Sequence, residues 1–208
     1  MKKATMIIMG TLLLLSGCLE YRESIWLEDD LSGHMIYEFG YPEFADVRDG
    51  DMDNADILPD TSQTDGIRIL SYNTYEQDDM NWIQVELEFD NILIMNYCQQ
   101  DWLGTIEISD EDGNLKYSRQ VTISDSMDTS EFGSALKLAM FGQYQWTYTV
   151  YFSDEIIEAN TPSIRIDAQN NAVTWEYSFA SVLNEMLQMD AVIDNKNFFQ
   201  KTIHSIFK

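Results

Sequence analysis

The sequence predicts an α+β domain in which two or three helices cover a mainly antiparallel sheet. Alternating apolar and polar residues indicate the strands, most clearly at 83–89, where the apolar side chains would share one face. Asp112 and Gly113 stand between two such segments, and this pair is typical of a tight hairpin turn. Apolar residues spaced three and four apart predict the helices, because that spacing places them on one helical face.

The predicted elements follow one another closely along the chain. Helix 128–140 begins with Asp128 as a capping residue and Glu131 three positions later. Further helices are predicted at 179–189 and 195–207, and a turn at 169–171 joins the last two strands. The predicted strands are 24–27, 35–39, 67–70, 83–89, 92–95, 104–108, 115–123, 146–152, 163–166 and 172–177.

The first eighteen residues have the layout of a bacterial secretory signal. Two lysines precede a short apolar segment, which ends in small residues at Gly17 and is followed by Cys18. The segment is shorter than the roughly 20 residues that a membrane-spanning helix needs. This arrangement resembles the lipobox of bacterial lipoproteins, which implies cleavage after Gly17 and acylation of the Cys18 thiol. Residues 1–17 are then the removed signal peptide.

The rest of the chain is predicted to form one acidic domain. Residues 18–23 are a short lipid-bearing tether, and residues 24–194 form the α+β domain, with an acidic loop at 45–66. Cleavage removes two lysines and no acid, so the formal charge changes from −24 to −26. Such a charge argues against nucleic acid as a partner, because nucleic-acid binding depends on basic residues that release counterions.

Only one cysteine remains for the fold once Cys18 is acylated. No intrachain disulfide is therefore expected, and the domain depends on its apolar core. Cys98 is predicted to be a small buried residue of that core.

The acidic loop contains a spacing that calcium-binding loops also use. Asp49, Asp51 and Asp53 alternate as calcium ligands do, and Asp60 stands at the twelfth position. Asn54 occupies the sixth position, where glycine is usual. A solvated acidic loop explains the same residues without a metal, so calcium stays an alternative and no other cofactor is expected.

Residues 195–208 predict an amphipathic, basic helix at the end of an acidic chain. Phe199, Ile203 and Phe207 fall on its apolar half, and Lys201 falls on the other half. Three interpretations remain open: a helix docked on the domain, an interfacial helix on the membrane, and a helix that binds a partner.

The sequence predicts no enzymatic activity. It contains no HExxH helix, no CxxC pair, no GxSxG elbow and no glycine-rich phosphate loop. Its aromatic content has two explanations, the core of a β-rich domain or a cavity for an apolar ligand. The tryptophans concerned are Trp82, Trp102, Trp146 and Trp175.

Several short segments resemble small bacterial lipoproteins of the LppM kind. They are residues 20–26 directly after the cysteine, the Ser32-Gly33 turn, residues 156–160 and residues 173–175. The resemblance implies an envelope-exposed α+β domain that contacts lipids. A C-terminal transmembrane segment of that family has no counterpart in the predicted helix 195–207, which is too short and too polar to span a bilayer.

Together these features predict a membrane-anchored, non-enzymatic envelope lipoprotein that binds a protein or lipid partner at the membrane surface. The alternatives are a structural or assembly subunit of an envelope complex, a calcium-dependent binding protein and a hydrolase. Leu19 follows the acylated cysteine where enteric sorting uses aspartate to retain lipoproteins, so the outer membrane is favoured in a cell that has one.

Overall fold

Two β-sheets face each other across one apolar core. The computed structural model describes residues 20–42, 58, 64–98, 103–122, 145–160, 164–178, 181 and 186–194. One 3₁₀ helix, Ile92–Tyr97, lies among these residues. The strands are β1 (Glu20–Leu27), β2 (Gly33–Pro42), β3 (Ile67–Gln77), β4 (Met80–Phe89), β5 (Thr105–Glu111), β6 (Asn114–Val121), β7 (Gln145–Phe152), β8 (Ile156–Ala159), β9 (Ile164–Asp167), β10 (Ala172–Ser178) and β11 (Leu187–Ile193).

The two sheets differ in size. The larger has seven strands in the order β3-β4-β2-β1-β7-β10-β9, and the smaller has four in the order β5-β6-β11-β8. Neighbouring strands are antiparallel except β1 and β7, which are parallel. The predicted antiparallel character is therefore correct, and β1 lies in the middle of the larger sheet.

Alternation along the strands builds the core. In β1 every second residue from Tyr21 to Leu27 is buried, while Arg22 points to solvent. The inner faces of both sheets contribute fully buried side chains, among them Val85 from β4 and Val121 from β6. Cys98 is also buried in this core, which confirms its prediction. Burial of each large apolar side chain in this core contributes about 1.5–3 kcal/mol to the free energy of folding.

The hairpin predicted at Asp112 and Gly113 is confirmed. Both residues have positive φ, 54° and 86°, as a two-residue turn with the twist of the flanking strands requires. The Asp110 carboxylate accepts a hydrogen bond from the Gly113 amide at 3.0 Å, which holds the turn from inside the hairpin.

The α+β prediction is wrong for the described residues. Strands account for 69% of the structure, and no helix of seven or more residues occurs among them. The predicted helices 128–140 and 195–207 lie outside the described residues. The third predicted helix, 179–189, is described only in part, and its last three residues, 187–189, belong to strand β11.

Core contacts and strand pairing explain the other differences between the predicted and the observed elements. Residues 92–95 form the 3₁₀ helix instead of a strand, because Ile92 and Met95, three apart, both reach the core and Asn91 caps the first turn. Strand β8 was not predicted. Strand β1 begins at Glu20, inside the predicted tether, since it pairs from that residue onward with both β2 and β7.

Gly33 is expected to be intolerant of even a methyl group. A Cβ there would press on the Trp26 carbonyl oxygen and lie 2.9 Å from the Phe89 ring. Because the first of these atoms is backbone, Gly33→Ala should lower the free energy of unfolding by about 1–3 kcal/mol in urea titration. Ser109→Ala, on the exposed face of β5, is the control and should change it by less than about 0.5 kcal/mol. Equal effects of the two variants would contradict this packing.

Candidate functional site

The residues predicted to be functional lie outside the described residues. This holds for the cleavage and lipidation site at Gly17 and Cys18. It holds equally for the calcium ligands Asp49, Asp51, Asp53 and Asp60, and for the contact residues Phe199, Lys201, Ile203 and Phe207. All of these remain predictions.

A charged pair lies between the two sheets. Glu23 of β1 and Arg119 of β6 each have side chains only 1% exposed. The guanidinium donates to both carboxylate oxygens, Nη1 to Oε1 and Nη2 to Oε2, the second at 3.1 Å. Its Nε donates to the Leu103 carbonyl oxygen at 2.8 Å. The pair therefore has the bidentate geometry that makes a buried ion pair tolerable.

Three tyrosines surround this pair. The Tyr21 hydroxyl donates to Glu23 Oε2, and the Arg119 guanidinium carbon lies 4.7 Å from the centre of the Tyr148 ring. Burial alone would lower the pKa of Arg119, but the Glu23 carboxylate raises it well above its ordinary value, so the charge persists. Burial raises the pKa of Tyr117 to about 12, and it also raises the pKa values of Tyr21 and Tyr148 well above their ordinary value.

The chemistry of this cluster is internal to the fold. Its carboxylate is occupied by Arg119 and Tyr21, and neither charged group is open to solvent. A general acid or base must reach the proton that it transfers. The arrangement instead links the two sheets, because the two charges of the ion pair come from opposite sheets and neutralise each other.

The outer face of the larger sheet carries an aromatic stack. Trp26 of β1 is opposite His34 of β2 on one side and Tyr151 of β7 on the other. The ring centres are 4.4 and 4.8 Å apart, with planes within 5° of parallel. All three side chains are half-buried. Stacked in this way, the rings combine a large apolar area with the polar ring nitrogens of Trp26 and His34 on the outer face of the sheet.

A second cluster lies on the same face, closer to the start of β1. The Trp82 ring extends over Gly40, where a Cβ would lie 2.9 Å from it, and Arg22 covers it at 4.2 Å. Glu38 accepts hydrogen bonds from the Tyr75 hydroxyl at 2.9 Å and from Gln84 at 2.7 Å. This cluster leaves Trp82 only 3% exposed.

The tryptophans do not line one common cavity in the described part of the chain. Trp146 and Trp175 lie in the core between the sheets, whereas Trp82 lies on the outer face. Trp102 lies outside the described residues. The explanation that these aromatic residues form the core therefore holds for Trp146 and Trp175.

Within the described ranges, no three His, Cys, Asp or Glu side chains are close enough together to hold a metal ion. The same ranges contain no helix with the length and apolar character needed to cross a bilayer.

The fold has a solved counterpart. It is similar to the folded domain of the Mycobacterium tuberculosis LppM protein, determined by NMR. The TM-score is 0.52 at 14% sequence identity, over 85% of this chain and 90% of that chain. The similarity confirms in part the resemblance to LppM-like proteins, and at this identity it concerns the fold alone. No family model and no curated protein matches the chain.

Sequence reasoning missed both the charged pair and the stack. The pair had a readable signal: Glu23 is in phase with Tyr21 and Ile25, and Arg119 with Tyr117 and Val121, so both charges occupy inward positions. The aromatic stack had no readable signal in the sequence, because it depends on which strands lie beside β1.

Proposed function

We propose that this protein is a bacterial envelope lipoprotein, acylated at Cys18, whose β-sandwich is a non-enzymatic binding module for a protein or lipid partner at the membrane surface. The lipobox-like sequence ending at Cys18 carries the proposal. The fold similarity to the LppM domain is consistent with an envelope lipoprotein.

The position of β1 supports an anchor at this point of the chain. Glu20 stands two positions after Cys18 and already pairs with Gly40 on one side and Gln145 on the other. A folded domain that starts so close to the modified residue stays at the membrane surface, since two residues reach only about 7 Å.

The outer face of the larger sheet supports a binding role. Its stack of His34, Trp26 and Tyr151 combines large apolar area with polar atoms, which is the composition that binding interfaces favour. The charged pair inside the sandwich is closed to solvent, so it offers no accessible group for acid or base catalysis.

Cys18→Ala is expected to abolish acylation and removal of the signal peptide. Without the thiol there is no acyl group, so the variant should accumulate as the unprocessed precursor, and its intact mass should include residues 1–17 and no acyl group. Cys98→Ala is the matched control, because it removes the other cysteine of the sequence and should leave processing and acylation as in the wild type. Normal processing of Cys18→Ala would overturn the proposal.

We propose the outer membrane as the location in a cell that has one, because Leu19 and not aspartate follows Cys18. Separation of inner and outer membranes on a sucrose gradient tests this. A Leu19→Asp variant is expected to move toward the inner-membrane fractions.

A further inference from the structure

Strand β9 forms one edge of the larger sheet. It follows β10 in the strand order, and no described strand pairs with its other side. Arg165, Ile166 and Asp167 are all exposed, although Ile166 is a large apolar residue and is 43% exposed. An edge strand presents backbone groups that can pair with a strand of another chain.

The backbone groups of Ile166 face the open side of this edge. The Phe152 amide donates to the Asn171 carbonyl oxygen at 2.9 Å, which directs that carbonyl towards β7. Backbone groups alternate in direction along a strand, so the β10 residues opposite Arg165 and Asp167 direct theirs towards β9. Ile166, which lies between these two residues, therefore directs its N–H and C=O away from β10.

The sequence of this edge is complementary to itself. A second β9 can lie antiparallel to the first with a two-fold axis at Ile166, which then faces Ile166 of the second copy. In this register Arg165 faces the second copy's Asp167, and Asp167 faces its Arg165. Both ion pairs fall at positions without backbone hydrogen bonds, where opposite side chains in an antiparallel pair come closest.

Arg165 is available for such a pair. The structure describes five lysines and arginines, and Arg165 is the only one of them that makes no ion pair among the described residues. The other four are Arg22, Arg68, Lys116 and Arg119. An exposed arginine without a carboxylate partner is unexpected in a chain with a formal charge of −24, and arginine is enriched at protein interfaces.

Asp167 is held in place at the end of the strand. Its carboxylate accepts hydrogen bonds from the Asn170 side chain at 2.8 Å and from the Gln169 amide at 3.0 Å. An ionised carboxylate has about four acceptor positions, so it can also accept a guanidinium from a second copy.

The net negative charge of the chain opposes self-association. Repulsion between groups on the two bodies is screened beyond a Debye length of about 8–10 Å. The Arg165 and Asp167 side chains of the two copies would be well within that distance, so their attraction acts where screening is weakest.

Strand β8 adds apolar surface on the same side of the sandwich. The Trp175 indole donates to Asn160, directly after β8, at 2.9 Å, so β8 lies beside β10 as β9 does. Ile157 of β8 is 53% exposed. Glu158 pairs with Val192, which is on the outer face of the smaller sheet, so this acid points away from β9.

The opposite edge of the larger sheet, β3, is less suited to pairing. It also exposes apolar residues, but the strand has an irregularity between Ile69 and Ser71. Irregularities of this kind on edge strands hinder pairing with another chain. Its arginine, Arg68, is already bound to Glu88 at 2.6 Å.

We propose that β9 pairs antiparallel with β9 of a second copy of this chain, with Ile166 at the two-fold axis and two Arg165–Asp167 ion pairs that select this register. The larger sheets of the two copies then form one continuous sheet. A strand of four residues makes a small interface, so the association is weak and reversible. The inference goes beyond the proposed function and does not depend on acylation of Cys18.

Disulfide trapping in membranes of cells that produce the full-length protein tests this pairing. In a Cys98→Ala background, Ile166→Cys places one thiol of each copy at the axis. Opposite residues of a hydrogen-bonded pair have Cα atoms about 5.5 Å apart, which a disulfide can bridge. The membranes are oxidised with copper phenanthroline, and the dimer is measured on a non-reducing gel.

Leu70→Cys in the same background is the matched control, because Leu70 is a similarly exposed residue of the opposite edge, β3. The Cys98→Ala parent sets the background. Ile166→Cys is expected to give several-fold more dimer than Leu70→Cys. Equal yields at the two positions would indicate random collision and would overturn the proposal.

A second substitution in the Ile166→Cys variant tests the ion pairs. Arg165→Glu places two acids opposite each other and should reduce the dimer several-fold, whereas Arg165→Lys keeps the charge and should retain most of it. Circular dichroism should be the same for both variants, because Arg165 is exposed. A dimer yield that Arg165→Glu does not reduce would overturn the proposed register.

Discussion

Replacing Arg119 with methionine is expected to lower the free energy of unfolding by about 3–5 kcal/mol, because Glu23 would be left as a buried charge without a partner. The side chain of Glu23 is 1% exposed, so water cannot replace the lost guanidinium. The Leu103 carbonyl would lose its donor as well. Urea unfolding monitored by tryptophan fluorescence measures the loss.

Two controls make this result specific. Arg68→Met breaks the exposed ion pair with Glu88, whose atoms lie 2.6 Å apart, and should cost less than about 1 kcal/mol. The double variant Glu23→Leu/Arg119→Met removes both charges and should recover most of the stability lost by Arg119→Met. If Arg119→Met lowers the free energy of unfolding no more than Arg68→Met does, the sheets do not depend on the buried pair.

Raising the pH above about 10 is expected to unfold the protein cooperatively. Burial raises the pKa values of Tyr21, Tyr117 and Tyr148 above the ordinary value of 10.0. In this range the unfolded tyrosines lose their protons while the folded ones keep theirs, so ionisation favours the unfolded state. The stabilisation is complete below pH 10 and decreases above it. Three such groups lower the free energy of unfolding by about 4 kcal/mol between pH 8 and pH 11.

Tyrosinate absorbance and circular dichroism, recorded across the same pH range, check this expectation. The tyrosinate absorbance and the circular-dichroism signal of the strands should change together, because the buried tyrosines ionise only when the protein unfolds. Tyr148→Phe is the matched variant, because the Tyr148 hydroxyl has no hydrogen-bond partner among the described residues. It should leave stability at pH 7 nearly unchanged and reduce the alkaline loss by about one third. Complete tyrosinate formation in a protein with intact strands would contradict the buried cluster.

The sequence predicted most of the strands because their alternation is strong. In β4 and β7 each inward position holds an apolar or aromatic residue, and the structure buries them as expected. The register and the order of strands were beyond such reasoning. The parallel pairing of β1 with β7 joins segments more than a hundred residues apart, and no local pattern specifies it.

The helix predicted at 179–189 is wrong at its end, where local preference and strand pairing disagree. The segment 187–193 contains leucine, methionine and alanine, which favour helices in isolation. In the fold Leu187, Met189, Ala191 and Ile193 line the core as a strand between β6 and β8. Tertiary pairing decided the outcome, because the strand satisfies its backbone on both sides.

The candidate site was predictable only in part. A charged residue in phase with buried neighbours, such as Glu23 or Arg119, indicates an internal partner without saying which one. The stacking of Trp26 between His34 and Tyr151 follows from strand order alone. The lipobox at Cys18 remains a prediction, and it can be made from the sequence because that motif is local.

Intact mass analysis of the protein purified from native membranes tests the central claim most directly. The account predicts a chain that begins at Cys18, has lost residues 1–17 and carries acyl groups on that cysteine. A chain that retains its first residues, with an unmodified thiol at Cys18, would contradict it.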